Sequence, residues 1–413
     1  MPKPRVLISH PTGNQNVRNA LASLAERGML AEFWTTIAWD AQSRWNRLLP
    51  QGMRMQLERR TYADAPRDRI KCVPSREIVR LGVRPRFLNS LLTSEERPFS
   101  IIGVYRHFDA KVARRVRSLR PDVVYGYEGG ARETFREARR LGIKTIYELP
   151  SSYWHWEHRF LSEEAERNPA FAGLLPKLQD SPRHMQWKDE ELHLADFVFV
   201  ASQHVRHTLH GVVPDEKIRV VSYGAPPIRP RTPVPRDANR PLKVLFVGAL
   251  IQRKGISYLL DAVDRLGAEV ELTIAGRRFR PNSRVDEALG RVRWFETLSH
   301  GQVLDLMMEM DVLVLSSLCE AFGLVVTEAM ACGLPVIVTP NVGAADLVSE
   351  GHEGFVVPIC SSEAIADRLH ALARNHELLA SMSRNAQATA AEASWESYRN
   401  NFAKTVEAIA ACQ

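Results

Sequence analysis

Ser316-Ser317-Leu318-Cys319-Glu320-Ala321-Phe322-Gly323-Leu324-Val325-Val326-Thr327-Glu328-Ala329-Met330-Ala331-Cys332-Gly333-Leu334-Pro335-Val336-Ile337 is the stretch on which the fold of this chain turns. It follows the apolar run Val312-Leu313-Val314-Leu315, so it reads as the end of a strand, a loop, a helix and the start of the next strand. The loop carries Glu320, Gly323 lets another group approach the backbone closely, and the helix that begins there carries Glu328 in its second turn. Both carboxylates should border one crevice. The fresh helix N-terminus, with free N–H groups on Gly323, Leu324 and Val325, is a natural anion site.

A sugar nucleotide needs such a constellation: helix N–H groups for a diphosphate, and carboxylates to accept hydrogen bonds from ribose and sugar hydroxyls. The plainer alternative has Glu320 capping the helix and Glu328 as a surface charge.

Working outward, short β-rich runs alternate with helical stretches: Leu242-Lys243-Val244-Leu245-Phe246-Val247-Gly248, a helix from Ile256 to Leu266, Val270–Ala275, Val292–Phe295, Pro335–Thr339 and Phe355–Val357. Crossovers of this kind demand a parallel sheet covered by helices on both faces, so residues 242–392 are expected to form a doubly wound α/β domain. Upstream, Ala225-Pro226-Pro227-Ile228-Arg229-Pro230-Arg231-Thr232-Pro233-Val234-Pro235 forces extended backbone and removes donors, which marks residues 226–241 as a linker.

Residues 1–225 repeat the pattern less regularly, with strands expected at Arg5–Ser9, Asp122–Tyr125, Lys144–Glu148, Phe197–Ala201 and Ile218–Ser222. The Arg- and Pro-rich segment 40–100 and the Trp-, His- and Glu-rich segment 150–190 read as insertions at the functional end of that sheet. A last helical run, Trp395 to Ala411 within 393–413, could pack back across the first domain.

The chain has 413 residues, more than one hydrophobic core usually holds, which agrees with two domains. Its ordinary composition excludes disordered, collagen-like and coiled-coil classes. No segment approaches the roughly 18 consecutive apolar residues that cross a bilayer, and Met1-Pro2-Lys3-Pro4-Arg5 runs straight into Val6-Leu7-Ile8 without a signal-peptide pattern. Cys72, Cys319, Cys332, Cys360 and Cys412 are odd in number and widely spaced, which argues against a disulfide framework or a zinc site. A cytoplasmic setting is therefore expected.

The net charge of +7 hides an asymmetry, +13 over residues 1–240 against −6 over 241–413. Segment 51–120 alone holds 17 basic and 7 acidic residues, among them Arg59-Arg60, Arg67, Arg69, Lys71, Arg84, Arg86 and Arg114-Arg115. Such a patch suits an anionic acceptor or an anionic membrane surface at the inner face, and equally a solvated protein face.

Glu320 and Glu328 with seven residues between them, followed by Ala-Met-Ala-Cys-Gly-Leu-Pro-Val-Ile, resemble the signature of the retaining nucleotide-sugar glycosyltransferases of family four. Segments in register with that family are Phe246–Gly255, Ile274-Ala275-Gly276, Gly343–Val348 and Gly354–Pro358, so the resemblance covers residues 242–375. It implies a GT-B fold: two doubly wound Rossmann-like domains facing a cleft, with the first binding an acceptor and the second the donor. It also implies a UDP- or GDP-sugar as donor, a saccharide or lipid-linked saccharide as acceptor, and retention of anomeric configuration; no Asp-x-Asp pair or carboxylate cluster suggests a divalent cation, so no metal or other cofactor is expected.

By this resemblance Lys254 neutralises the donor diphosphate with Arg253 as companion, Glu328 holds the ribose, and Glu320 holds the transferred sugar. The Gly276-Arg277 turn and Trp294-Phe295 would border the base, though Trp294 suits core packing equally. Gly13, in the first βα loop, would face the diphosphate or the acceptor. The chain departs from the family twice: Ala249 stands where an arginine is common, and Glu148 where a histidine follows the strand, the next histidines being His155 and His158. Glu148 and His155 are thus candidates for the group beside the anomeric carbon. Other classes compatible with the sequence are a GT-B epimerase or hydrolase and a non-catalytic polyanion-binding protein.

Overall fold

The computed structural model describes residues 2–40, 54, 57, 60–82, 97–175, 181–231 and 240–412. Among these, β1 (Val6–Ser9), β2 (Leu30–Thr35), β3 (Ile70–Cys72), β4 (Val123–Tyr127), β5 (Lys144–Leu149), β6 (Phe197–Val200) and β7 (Ile218–Val220) form one sheet, ordered β3-β2-β1-β4-β5-β6-β7. A second sheet holds β8 (Leu242–Val247), β9 (Val270–Ala275), β10 (Arg293–Phe295), β11 (Val312–Leu315), β12 (Val336–Val338) and β13 (Gly354–Val356), ordered β10-β9-β8-β11-β12-β13. All pairings within both sheets are parallel. In each sheet the chain order reverses beside the first strand, at β1 and at β8, which is where an open α/β sheet leaves a crevice at its carboxyl ends. The strands are continuous apolar runs because helices cover both faces; Val6, Leu7 and Ile8, and Val312 to Leu315, are fully buried.

Two strands of the first sheet escape the sequence pattern. In β2, Leu30-Ala31-Glu32-Phe33-Trp34-Thr35, an acidic residue interrupts the apolar run; Glu32 is buried there because Arg115 donates to it at 2.6 Å and the Trp34 indole at 2.8 Å. In β3, only three residues, Ile70-Lys71-Cys72, pair with β2 inside the Arg-rich segment that reads as an insertion.

The chain passes between the sheets beside a second crossing. Ala225 pairs with Ser394, the Ala225 N–H donates to the Ala393 carbonyl at 2.7 Å, and the Trp395 N–H returns to the Ala225 carbonyl at 3.2 Å. The helix Trp395–Ala411 then lies against the first domain's helix Gln15–Glu26, where Ser23 donates to the Arg399 carbonyl at 2.5 Å and Phe402 packs edge-on against Tyr125 and Phe199. A single apolar cluster consequently runs from Val6 and Tyr125 through Phe402 and Tyr223 into Phe322 and the second sheet. Of the expected linker, residues 226–231 lie along the second domain, with Arg229 donating its N–H to the Ala331 carbonyl at 3.0 Å, and 232–239 fall outside the described residues.

Candidate functional site

After β8 a tight turn, Gln252–Lys254, ends on Gly255 in the left-handed region at φ +67°. A Cβ on Gly255 would lie 1.9 Å from the Ser316 carbonyl oxygen, so glycine alone lets this turn press against the loop after β11. The Leu318 N–H donates to the Arg253 carbonyl at 2.8 Å and the Ser316 hydroxyl to the Gly255 carbonyl at 2.9 Å, which clamps the two loops together. Lys254 Nζ thereby meets Glu320 Oε2 as a hydrogen-bonded ion pair, both side chains mostly shielded from solvent. Arg253 donates to the Cys319 carbonyl at 3.4 Å and lies 3.8 Å from the carboxylate of Glu157, which belongs to the first domain's helix Trp154–Arg167. Burial works against the Arg253 charge, and Glu320 and Glu157 outweigh it, holding the guanidinium above its ordinary pKa.

The helix Leu324–Ala331 starts from Gly323 at φ +86° with no side chain capping it. Glu320, the residue that could have been the cap, is bound to Lys254 instead. Its backbone is fixed too, the N–H on the Asn341 carbonyl at 2.9 Å and the carbonyl accepting from Gly343 at 3.0 Å. The helix therefore presents its first amides and its partial positive charge beside the Lys254–Glu320 pair. Gly323 is buried, Leu324 and Val325 half-buried. Glu328 is likewise no free surface charge: it is mostly buried and bound to His300 Nε2 at 2.9 Å. No sequence pattern announces His300, which opens the helix His300–Glu309 inside a capping box built by Ser299 and Gln302.

On the far edge, the Gly276 N–H donates to the Phe295 carbonyl at 2.8 Å and the Gly276 carbonyl accepts the Trp294 indole N–H at 2.9 Å. Trp294 thus spends its one donor inward and packs half-buried on the core, whereas Arg277 is exposed and Phe295 lies under the Arg293 guanidinium.

The first domain's candidates separate. Gly13 does not leave an open approach for a ligand. A Cβ there would lie 2.2 Å from the Tyr62 hydroxyl, so the space the glycine frees is filled by Tyr62, which donates to the Thr12 carbonyl at 3.0 Å. Glu148 does not face a reacting carbon either: it is 3 % exposed in the core, accepting from the hydroxyls of Tyr125 and Tyr223 (2.7 Å for the latter) and from the Asn16 amide at 3.4 Å. Burial raises its pKa, and those three donors pull it back only in part. The sequence could not separate a carboxyl at a strand end from one turned into the core. His155 and His158, at the start of the helix Trp154–Arg167, are the exposed members of the set, with His155 stacked on Tyr153. His10 is held nearby; its Nδ1 accepts the N–H groups of Thr12 at 3.1 Å and Gly13 at 2.7 Å, and burial lowers its pKa to about 3.

The carboxyl ends of the two sheets face each other. Ser202, after β6, donates to the Ala321 carbonyl at 2.8 Å, and the Gln203 N–H donates to Asp346 at 2.8 Å. The basic segment is partly neutralised within the first domain. Arg60 is buried on Glu77 at 2.5 Å, Arg115 is bound to Glu32, and Arg67 to Asp40 at 3.0 Å. Arg69 and Arg114 are exposed, and Arg59, Arg84 and Arg86 lie outside the described residues. Among the described residues no helix is long and apolar enough to cross a membrane, and no group of three or more His, Cys, Asp or Glu side chains is placed to hold a metal ion.

The family model of glycosyl transferases group 1 matches residues 232–389. An uncharacterized glycosyltransferase of Methanocaldococcus jannaschii is 29% identical over 154 residues, which is 37% of this chain and 44% of that protein. The phosphatidyl-myo-inositol mannosyltransferase of Mycobacterium leprae is 37% identical over 145 residues, 33% of this chain and 38% of that protein. The chain thus matches these relatives over less than half of their length. Solved structures align along nearly the whole chain: a sucrose-phosphate synthase from Thermosynechococcus elongatus has a TM-score of 0.68 at 17% identity, covering 98% of this chain and 99% of that one. Anabaena HepE in complex with UDP has a TM-score of 0.62 at 16% identity, covering 98% and 100%. The chain has the GT-B fold, and its second domain carries the match to the glycosyl transferases of group 1.

Proposed function

We propose that this protein transfers a sugar from a nucleoside diphosphate sugar to an acceptor hydroxyl, with retention at the anomeric carbon and without a metal. The observation that carries the reading is the Lys254–Glu320 pair set beside the uncapped start of the helix Leu324–Ala331, with Glu328 one turn further on. The bond to be broken joins an anomeric carbon to a phosphate, which leaves well once its charge is stabilised, and the transition state has oxocarbenium character. Lys254, Arg253 and the helix amides would stabilise the leaving diphosphate, Glu328 would accept from the ribose hydroxyls, and Glu320 would orient the sugar while the acceptor attacks the same face. His155, exposed on the first domain, is the candidate for the group beside the anomeric carbon.

UDP is the first nucleotide to try, since HepE binds it, with GDP next. A saccharide or lipid-linked saccharide acceptor in cell-surface polysaccharide or glycolipid synthesis fits this reading. So does a peripheral position at the inner membrane face through exposed cations such as Arg69 and Arg114.

The test is thermal stabilisation by UDP, GDP, ADP and their sugar conjugates on the wild type and on Lys254→Ala and Glu328→Ala. Nucleotide at about 100 times its Kd should stabilise the wild type by about 2.7 kcal/mol, and both substitutions should cut the shift to about 1.4 kcal/mol or less. Absence of a shift with every nucleotide overturns the donor site and favours polyanion binding. Turnover of the sugar nucleotide without an acceptor assigns an epimerase or hydrolase instead.

A further inference from the structure

Glu164, in the first domain's helix Trp154–Arg167, is fully buried, and its partners lie largely in the other domain. Its Oε1 accepts the Gln252 side-chain amide at 2.7 Å, and both carboxyl oxygens lie 2.9 Å from the Tyr258 hydroxyl. Oε2 also accepts from Arg167 at 3.2 Å, one turn along its own helix, and from the Cys360 thiol at 3.7 Å. Gln252 is itself fully buried; its amide nitrogen is shared with the Ser257 hydroxyl at 2.7 Å and its amide oxygen accepts the Ser257 N–H at 3.3 Å. Asn168, on the arm that carries Glu164, donates to the same Ser257 hydroxyl at 2.9 Å.

Gln252 is the inward residue of the turn whose next two residues are Arg253 and Lys254. Without Glu164 the Gln252 amide would be a buried donor with a lost partner, a cost that a short turn relieves by rotating or by admitting water. Rotation of Gln252 carries the adjacent cations with it.

We infer that Glu164 is a positioning residue of the donor site, holding the turn Gln252–Lys254 from across the domain boundary so that Arg253 and Lys254 meet a nucleoside diphosphate. This rests on the donor reading proposed above. It couples the grip on the diphosphate to the docking of the first domain's arm on the second domain. It also separates Glu164 from residues that touch the nucleoside: the base and ribose should not register its loss.

The experiment is calorimetric titration of UDP against uridine, and of GDP against guanosine, into the wild type, Glu164→Ala, Glu164→Gln and Gln252→Leu. Glu164→Ala should bind the diphosphate about tenfold more weakly while the bare nucleoside changes by less than about twofold. Glu164→Gln, which keeps an acceptor oxygen for Gln252 and Tyr258, should recover most of the loss. If Glu164→Ala proves unfolded by circular dichroism, Gln252→Leu, which cuts the same contact from the second domain, decides with the same expected pattern. Unchanged diphosphate affinity, or an equal loss for diphosphate and nucleoside, overturns the inference and leaves the donor reading standing. A wild type that binds neither nucleotide overturns the donor reading, and the inference with it.

Discussion

The two sides of the cleft are built in opposite ways. On the second domain, Lys254 and Glu320 sit on the turn and loop that follow the neighbouring strands β8 and β11, Glu328 sits on the helix that begins just beyond, and each is locked by a partner within that domain: Lys254 and Glu320 by one another, Glu328 by His300. On the first domain, Ser202 and Gln203 reach across from the end of β6, but the charged groups at the cleft come from a long excursion. The helix Trp154–Arg167 supplies Glu157, which pairs with Arg253 at 3.8 Å, the buried Glu164, which accepts from Gln252 and Tyr258 across the boundary, and the exposed His155. A site half made by adjacent strand ends is rigid by construction. A half made by excursions takes its geometry from what it docks against, so its chemistry can vary while the sheet beneath it stays the same.

The largest effect should come from breaking the rigid side. On the proposed function, Lys254→Ala removes the cation facing the leaving diphosphate and should lower kcat for sugar transfer by about 10²–10³-fold, measured at saturating donor. Glu328→Ala should weaken nucleotide binding about 10- to 100-fold, read by titration; an equal loss for a nucleotide lacking the ribose hydroxyls would show that Glu328 does not hold them.

A pH measurement sharpens the comparison from the first-domain side. Burial lowers the folded pKa of His10 to about 3 while the unfolded chain titrates near 6.5, and its Nδ1 accepts two backbone N–H groups in the neutral form. The unfolded state then binds the extra proton first. Stability contributed by neutral His10 is full above about pH 6.5 and is lost as pH falls toward 3, by up to about 1.4 kcal/mol per pH unit. Denaturant midpoints across that range should show the slope, and His10→Asn, which keeps an acceptor, should flatten it.

The smallest effect is expected from Glu157→Gln. The Arg253–Glu157 pair is a loose one at 3.8 Å, worth about 0.2–1 kcal/mol, so donor KM should change less than about fivefold. A larger change would mean that the first domain grips the donor side more firmly than its geometry suggests.

The same contrast explains what the sequence made legible. Residues 312–338 code a strand, a glycine start, a helix and a strand in unbroken order, so the doubly wound fold and the placing of Glu320 and Glu328 could be read directly. The strand β2 could not, because Glu32 breaks an apolar run and the Arg115 that neutralises it lies far along the chain. His300, Glu157 and Glu164 carry no local pattern; each is defined by a partner brought up by the fold. A glycine after the first strand suggests Gly13 as facing the cleft, and the resemblance suggests Glu148 because it stands where the family places a histidine; the side chains around them decide otherwise. Tyr62 fills the one space, and Tyr125, Tyr223 and Asn16 enclose the other.

The paired crossings at Ala225 and Ser394 mean that the second domain is, topologically, an insertion into the first. The ribosome delivers residues 242–392 complete before the helix Trp395–Ala411, which the first domain's core needs around Tyr125 and Phe199, has been made. Vectorial synthesis ordinarily lets the amino-terminal domain mature first. In this chain the topology favours the reverse order, with the second domain free to finish folding while the first still waits for its last helix.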